Sequence, residues 1–110
     1  MERVYNKIVR DNIPQIIIAK GETPVVKKLN QKEYKEKLEE KLYEEYEEVI
    51  KASKKDRIEE LADMIEVIRA LGSLEKVSLD EIIKIADEKA LKRGAFNDRI
   101  FLEKVIEKDK

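Results

Sequence analysis

The chain has 110 residues, of which 42% are hydrophobic and 45% charged; 24 basic and 25 acidic residues leave a net charge of −1. That length is expected to form one domain spanning residues 1–110, and the balanced charge offers no basic field to attract a nucleic-acid polymer. Neither Cys nor His occurs, which excludes disulfides, thiolate metal sites and histidine as base or zinc ligand.

Any catalysis must therefore rest on carboxylates, Lys, Arg, Tyr or a metal-bound water. A charged fraction well above the usual quarter points to a surface dense in ion pairs, as in many heat-stable proteins.

Taken in order, Met1 to Asp11 reads as irregular or briefly extended. Met1-Glu2-Arg3-Val4 does not lead into a signal-peptide apolar region, and no later run is apolar enough to span a membrane, so a cytoplasmic location is expected. Asp11 is placed to cap a short helix with Pro14 in its first turn and Gly21 as its stop. Thr23, Val25 and Val26 around Pro24 suggest an extended connector with strand character.

Asn30 with Glu33 has the spacing of a capping box, and a long helix is expected from there to about Ala52. Tyr34, Leu38, Leu42, Tyr46, Val49 and Ile50 form its apolar stripe at spacings of three and four. After a tight turn at Ser53 to Lys55, Asp56 with Glu59 is expected to start the next helix, and Gly72 to end it. Ile58, Leu61, Ala62, Ile65, Ile68 and Leu71 are its expected buried positions. The short turn favours antiparallel packing of this pair.

Ser78 with Glu81 suggests a further capping box, opening a fourth helix that Gly94 stops. In the tail, Ile100-Phe101-Leu102 and Val105-Ile106 could pair as a short strand with Val25-Val26. The expected fold is all-α, a compact bundle of about four helices with room for that strand pair.

Two carboxylate pairs stand out. Glu45 with Glu48, and Glu60 with Asp63, are each three residues apart, which puts each pair on one helix face. Glu45 follows Leu42 by three and precedes Val49 by four, so it falls on the apolar side of its helix or at its edge. With 25 acids in 110 residues, such pairs arise by chance, and most are solvated. These lie on consecutive helices, however, beside the apolar stripes. Acids brought together there would repel one another, and a hard divalent cation with oxygen ligands would offset that cost.

Glu44-Glu45-Tyr46-Glu47-Glu48 followed by Glu60-Leu61-Ala62-Asp63 resembles the EExxE and ExxD signature of the MazG-like all-α nucleoside triphosphate pyrophosphohydrolases. The opening Tyr5-Asn6-Lys7-Ile8-Val9-Arg10-Asp11-Asn12-Ile13-Pro14 and the stretch Lys89-Ala90-Leu91-Lys92-Arg93-Gly94-Ala95-Phe96 resemble the house-cleaning branch of that superfamily. The three segments occur in the right order and cover most of the chain.

The resemblance implies that Glu45, Glu48, Glu60 and Asp63 bind Mg²⁺, with Mn²⁺ as a substitute, and that Glu44 assists, for instance by orienting a water. The implied reaction cleaves a nucleoside triphosphate between the α and β phosphates, giving monophosphate and pyrophosphate. A metal ion can neutralise phosphate oxygens and lower the pKa of a water, so no His is needed. Lys89 and Arg93 share a helix face and, by the resemblance, contact phosphate; otherwise they complement the helix dipole. Lys7 and Arg10 are further phosphate candidates, or else pair with the acid-rich helices. Tyr5 or Phe96 could stack on a base, and Arg99 is a weaker cationic candidate.

Phosphoribosyl-ATP pyrophosphohydrolase, in the same superfamily, is the nearest alternative, and a non-catalytic helical interaction module is a reading from another class. The superfamily also implies a homodimer or higher homo-oligomer, with Tyr34, Tyr43 and Met64 in the interface or core.

Overall fold

The computed structural model describes residues 1–109. They contain four helices and no strand. Helix α1, Ile13–Ala19, is preceded by Asn12 at its N-cap, one residue later than the expected Asp11, with no side-chain capping bond. Pro14 sits in the first turn, where its missing N–H leaves no gap. Gly21 turns the chain at φ +84°, its N–H donating to the Ile18 carbonyl at 2.9 Å.

Helix α2, Gln31–Lys51, opens on the expected capping box. The Asn30 side chain accepts from the Glu33 N–H at 2.9 Å, and the Glu33 carboxylate accepts from the Asn30 N–H at 3.3 Å. Ala52 is extended, and its carbonyl accepts from Arg57 Nε at 3.1 Å across the turn. Helix α3, Lys54–Leu74, starts two residues before Asp56 and runs past Gly72. Gly72 is buried inside the last turn, and its carbonyl accepts from the N–H groups of Glu75 and Val77. The left-handed residue beyond the helix is Lys76, at φ +60°.

Two compact units divide the chain, Met1–Leu79 and Asp80–Lys110. In the first, α2 and α3 pack on each other, and they are the one helix pair in contact among the described residues. Leu38, Leu42, Glu45 and Val49 line the inward side of α2, with Leu38 and Glu45 buried; Val67 is buried on α3. The inward positions of α3 are Glu60, Asp63, Met64, Val67 and Leu71; of the expected stripe only Ile68 and Leu71 are half-buried. Ile58, Leu61, Ala62 and Ile65 are exposed, as are Tyr46 and Ile50 on α2. α3 is apolar on two sides, and the side bearing the acids is the one turned towards α2.

Helix α4, Leu79–Arg93, belongs to the second unit from its second residue on; its first turn carries Asp80 and Glu81 and its last Lys92 and Arg93, both complementing the helix dipole. Gly94 ends it at φ +84°, with its N–H on the Ala90 carbonyl at 2.8 Å. The expected strand pair is absent among the described residues: Val25, Val26 and residues 100–106 adopt no regular structure. Two short apolar segments leave a lone ladder unstable unless a helix or further strands cover it. No described helix is long and apolar enough to cross a membrane.

The two long helices differ at their N-termini. Asn30→Ala removes the side-chain acceptor of the capping box, leaving the backbone N–H of residue 30 to donate to Glu33, and is expected to cost about 1 kcal/mol in urea unfolding followed by circular dichroism. Ser53→Ala, at an N-cap with no side-chain bond, is expected to change stability by less than about 0.5 kcal/mol.

Candidate active site

Glu45 reaches the interior because its position continues the row Leu38, Leu42, Val49 at helical spacing. It is 7% exposed, the one buried charged residue among those described. The antiparallel return of α3 sets Glu60 and Asp63 opposite it. Carboxylate oxygens of Glu45, Glu60 and Asp63 lie within 4.8 Å of one another. One of them, Oε2 of Glu45, is buried without a hydrogen-bond partner, although a buried acceptor left unpaired is costly.

The crowding is felt most at Glu60. Desolvation raises its pKa first, then the charges of Glu45 and Asp63, a hydrogen bond shared with Glu45, and the charge of Glu48. Asp63 is held by Arg10, whose Nη2 donates to Oδ1 at 2.7 Å. Glu44, beside the three acids on α2, takes Lys7 Nζ at 3.0 Å and lies 3.6 Å from Lys41 Nζ. Burial pushes the Glu44 pKa up, but the Lys7 hydrogen bond and the two lysine charges outweigh it, and the net shift is downward.

Of the sequence-predicted site residues, the structure thus brings together Glu45, Glu60 and Asp63, with Glu44, Lys7 and Arg10 around them. Glu48 is exposed and lies outside the group of three, acting on it through its charge. Lys89, Arg93 and Phe96 are exposed residues of the second unit, and Tyr5 accepts from Arg3 Nε at 3.4 Å. Sequence reasoning passed over Lys41, which is 3.6 Å from both Glu44 and Glu45. Its spacing of three and four from those acids was the available signal.

The donor set suits a hard divalent cation. It offers only oxygens, three of them from converging carboxylates, and the partnerless Glu45 oxygen lacks the positive charge that such an ion would supply.

The family model for phosphoribosyl-ATP pyrophosphohydrolase matches residues 14–90. The chain belongs to that family. It is thereby a member of the MazG-like all-α superfamily and a nucleotide pyrophosphohydrolase, acting on a phosphoanhydride bond. The reading as a non-catalytic module gives way to it. No curated protein and no solved structure matches the chain. The matched span includes the acids of α2 and α3 and Lys89, while Lys7, Arg10 and Arg93 fall outside it.

The raised pKa of Glu60 has a stability consequence. A carboxyl that binds its proton more tightly when folded favours the fold at low pH, and that contribution is lost as pH rises through the folded pKa. In EDTA at pH 7, Glu60→Gln, which mimics the neutral acid, is expected to melt higher than the parent. The difference should close as pH is lowered below the carboxylate range, read by differential scanning calorimetry.

Proposed function

We propose that this pyrophosphohydrolase holds Mg²⁺ on Glu45, Glu60 and Asp63 and cleaves the α–β phosphoanhydride bond of a nucleotide, releasing pyrophosphate. The observation that carries the reading is the convergence of three carboxylates around a buried, partnerless oxygen of Glu45. When bound, the divalent ion supplies neutralisation of phosphate oxygens and a lowered pKa for a nearby water. Glu48 is the fourth acid, at the exposed edge of the site. Glu44, kept ionised by Lys7 and Lys41, is suited to accept a hydrogen bond from that water. Lys7 and Arg10 are the candidate phosphate contacts beside the acids; Lys89 and Arg93, in the second unit, stay candidates on the resemblance alone.

The family match favours phosphoribosyl-ATP as substrate. A second reading, nucleotide-pool house-cleaning of standard or modified nucleoside triphosphates, is favoured by the segment Tyr5 to Ile13 with its two cations. That segment precedes the matched residues and lies on the site. Both substrates lose pyrophosphate from a triphosphate, so one assay separates them. With Mg²⁺, pyrophosphate release from phosphoribosyl-ATP at a rate above that from any nucleoside triphosphate supports the first reading, and the reverse order the second. In either case Asp63→Asn and Glu45→Gln are expected to lower turnover about 100-fold or more, the loss of a ligand exceeding that of an outer-shell partner. Full turnover by either variant would refute the site.

The exposed apolar residues support a homodimer. Tyr43, Tyr46 and Ile50 on α2 lie roughly 80–140° around the helix from its inward row, and Ile58, Leu61 and Ile65 on α3 roughly 100–160° from theirs. In an antiparallel pair, equal rotations bring the two rows to the same side, forming one apolar face that a second copy could cover. Light scattering is expected to give at least twice the 12.9 kDa chain mass, and Leu61→Asp to lower it to one chain. A monomeric parent would refute the dimer.

A further inference from the structure

Residues 1–12 form neither helix nor strand, yet they lay two cations on the acids of α2 and α3. Arg10 Nη2 meets Asp63 Oδ1 at 2.7 Å, and Lys7 Nζ meets Glu44 Oε1 at 3.0 Å. The partners are 53 and 37 residues apart in sequence, so neither pair arises from local helical spacing. The segment joins α1 directly, with the Ile13 N–H on the Arg10 carbonyl at 3.0 Å.

These pairs are accessible. The side chains of Lys7 and Arg10 are 51% and 58% exposed, where one ion pair shifts an equilibrium only a few-fold. Nor do they quench the site: the cations engage Asp63 and Glu44, while Glu45 Oε2 keeps no partner. Of the two rim cations, Arg10 alone sits on one of the three converging carboxylates. An ion of charge two placed among all three acids gains more from them than Arg10 gains from one.

We infer that Lys7 and Arg10 form a clasp that a divalent cation opens, handing both side chains from the protein's own acids to the phosphates of the nucleotide. This rests on the metal-site reading above. Loading Glu45, Glu60 and Asp63 withdraws the negative charge that holds Arg10. A nucleotide then brings several negative oxygens, for which a guanidinium is the geometrically matched donor. Lys41 does not share this role. It pairs with Glu44 and Glu45 from within α2 and stays beside them by helical spacing. The device couples the two ligands: without metal, Arg10 stays on Asp63, one of the acids that the metal would take, and Lys7 stays on Glu44 beside them.

Two measurements on the full chain test the clasp without reading activity. In the first, trypsin cleavage after Lys7 and Arg10 is timed relative to cleavage after Lys20, in EDTA and in Mg²⁺. The clasp predicts cleavage several-fold faster in Mg²⁺, with no such response in Glu60→Gln. In the second, Mn²⁺ affinity is read from the electron paramagnetic resonance of free Mn²⁺. Arg10→Ala, which removes the competitor, is expected to bind about two- to fivefold tighter than the parent, the range set by one exposed ion pair. Equal or slower cleavage in Mg²⁺, or equal or weaker Mn²⁺ binding by Arg10→Ala, would each overturn the clasp while leaving the metal site standing. A parent that binds no Mn²⁺ would overturn the metal site itself, and the clasp with it.

Discussion

Mutual repulsion among Glu45, Glu60 and Asp63 is the constraint to which the first unit answers. α2 buries Glu45 in a row that would otherwise be apolar, and α3 turns its acidic side rather than its isoleucines towards it. The cost appears as a carboxylate oxygen with no partner and as a raised pKa at Glu60. Basic residues relieve part of it, Arg10 at Asp63 and Lys7 with Lys41 at Glu44. A protein selected for stability alone would have an aliphatic residue at position 45. Keeping the acid there makes sense when the fold expects a cation to arrive, which is also what phosphoanhydride chemistry without His requires.

The same constraint accounts for the outer surface of the helix pair. With the acids inward, Ile58, Leu61 and Ile65 are left outside, next to Tyr43, Tyr46 and Ile50. Rotating α3 by roughly 100–160° about its axis would bury Ile58, Leu61 and Ile65 against α2 and release the acids to water, and this structure does the opposite. The site and the exposed apolar face are therefore two results of one rotational choice. A second copy covering that face would return the hydrophobic stabilisation that the site withholds from the single chain.

Local signals carried much of the fold. The Asn30–Glu33 capping box, Pro14 in a first turn, and Gly21 and Gly94 at positive φ were all legible, because each is decided within a few residues. Glu45 was legible as an inward acid from its spacing to Leu42 and Val49. The face of α3 was not, because apolar residues occupy two of its sides and periodicity does not say which side meets α2. Its start at Lys54 was missed because Asp56 offered the better capping pattern, whereas Ser53 takes the N-cap without a side-chain bond. Gly72 gave a false stop: it stays helical and buried, and the left-handed turn falls at Lys76. The pairs Arg10–Asp63 and Lys7–Glu44 join residues 53 and 37 apart. Charge complementarity made such pairs conceivable, but only the packed helices fix the partners.

The central claim is that the three converging carboxylates form a divalent-cation site, and the most direct test is thermal stability against Mg²⁺ at constant ionic strength. An ion that binds only the folded state must raise its melting temperature, by about 2.7 kcal/mol of stabilisation at a hundredfold excess over the dissociation constant. The account predicts a concentration-dependent rise for the parent chain and little or none for Glu45→Gln, whose fold should survive because the neutral amide relieves repulsion. An equal rise in both would place the ion elsewhere, and no rise in the parent, with or without nucleotide, would contradict the site.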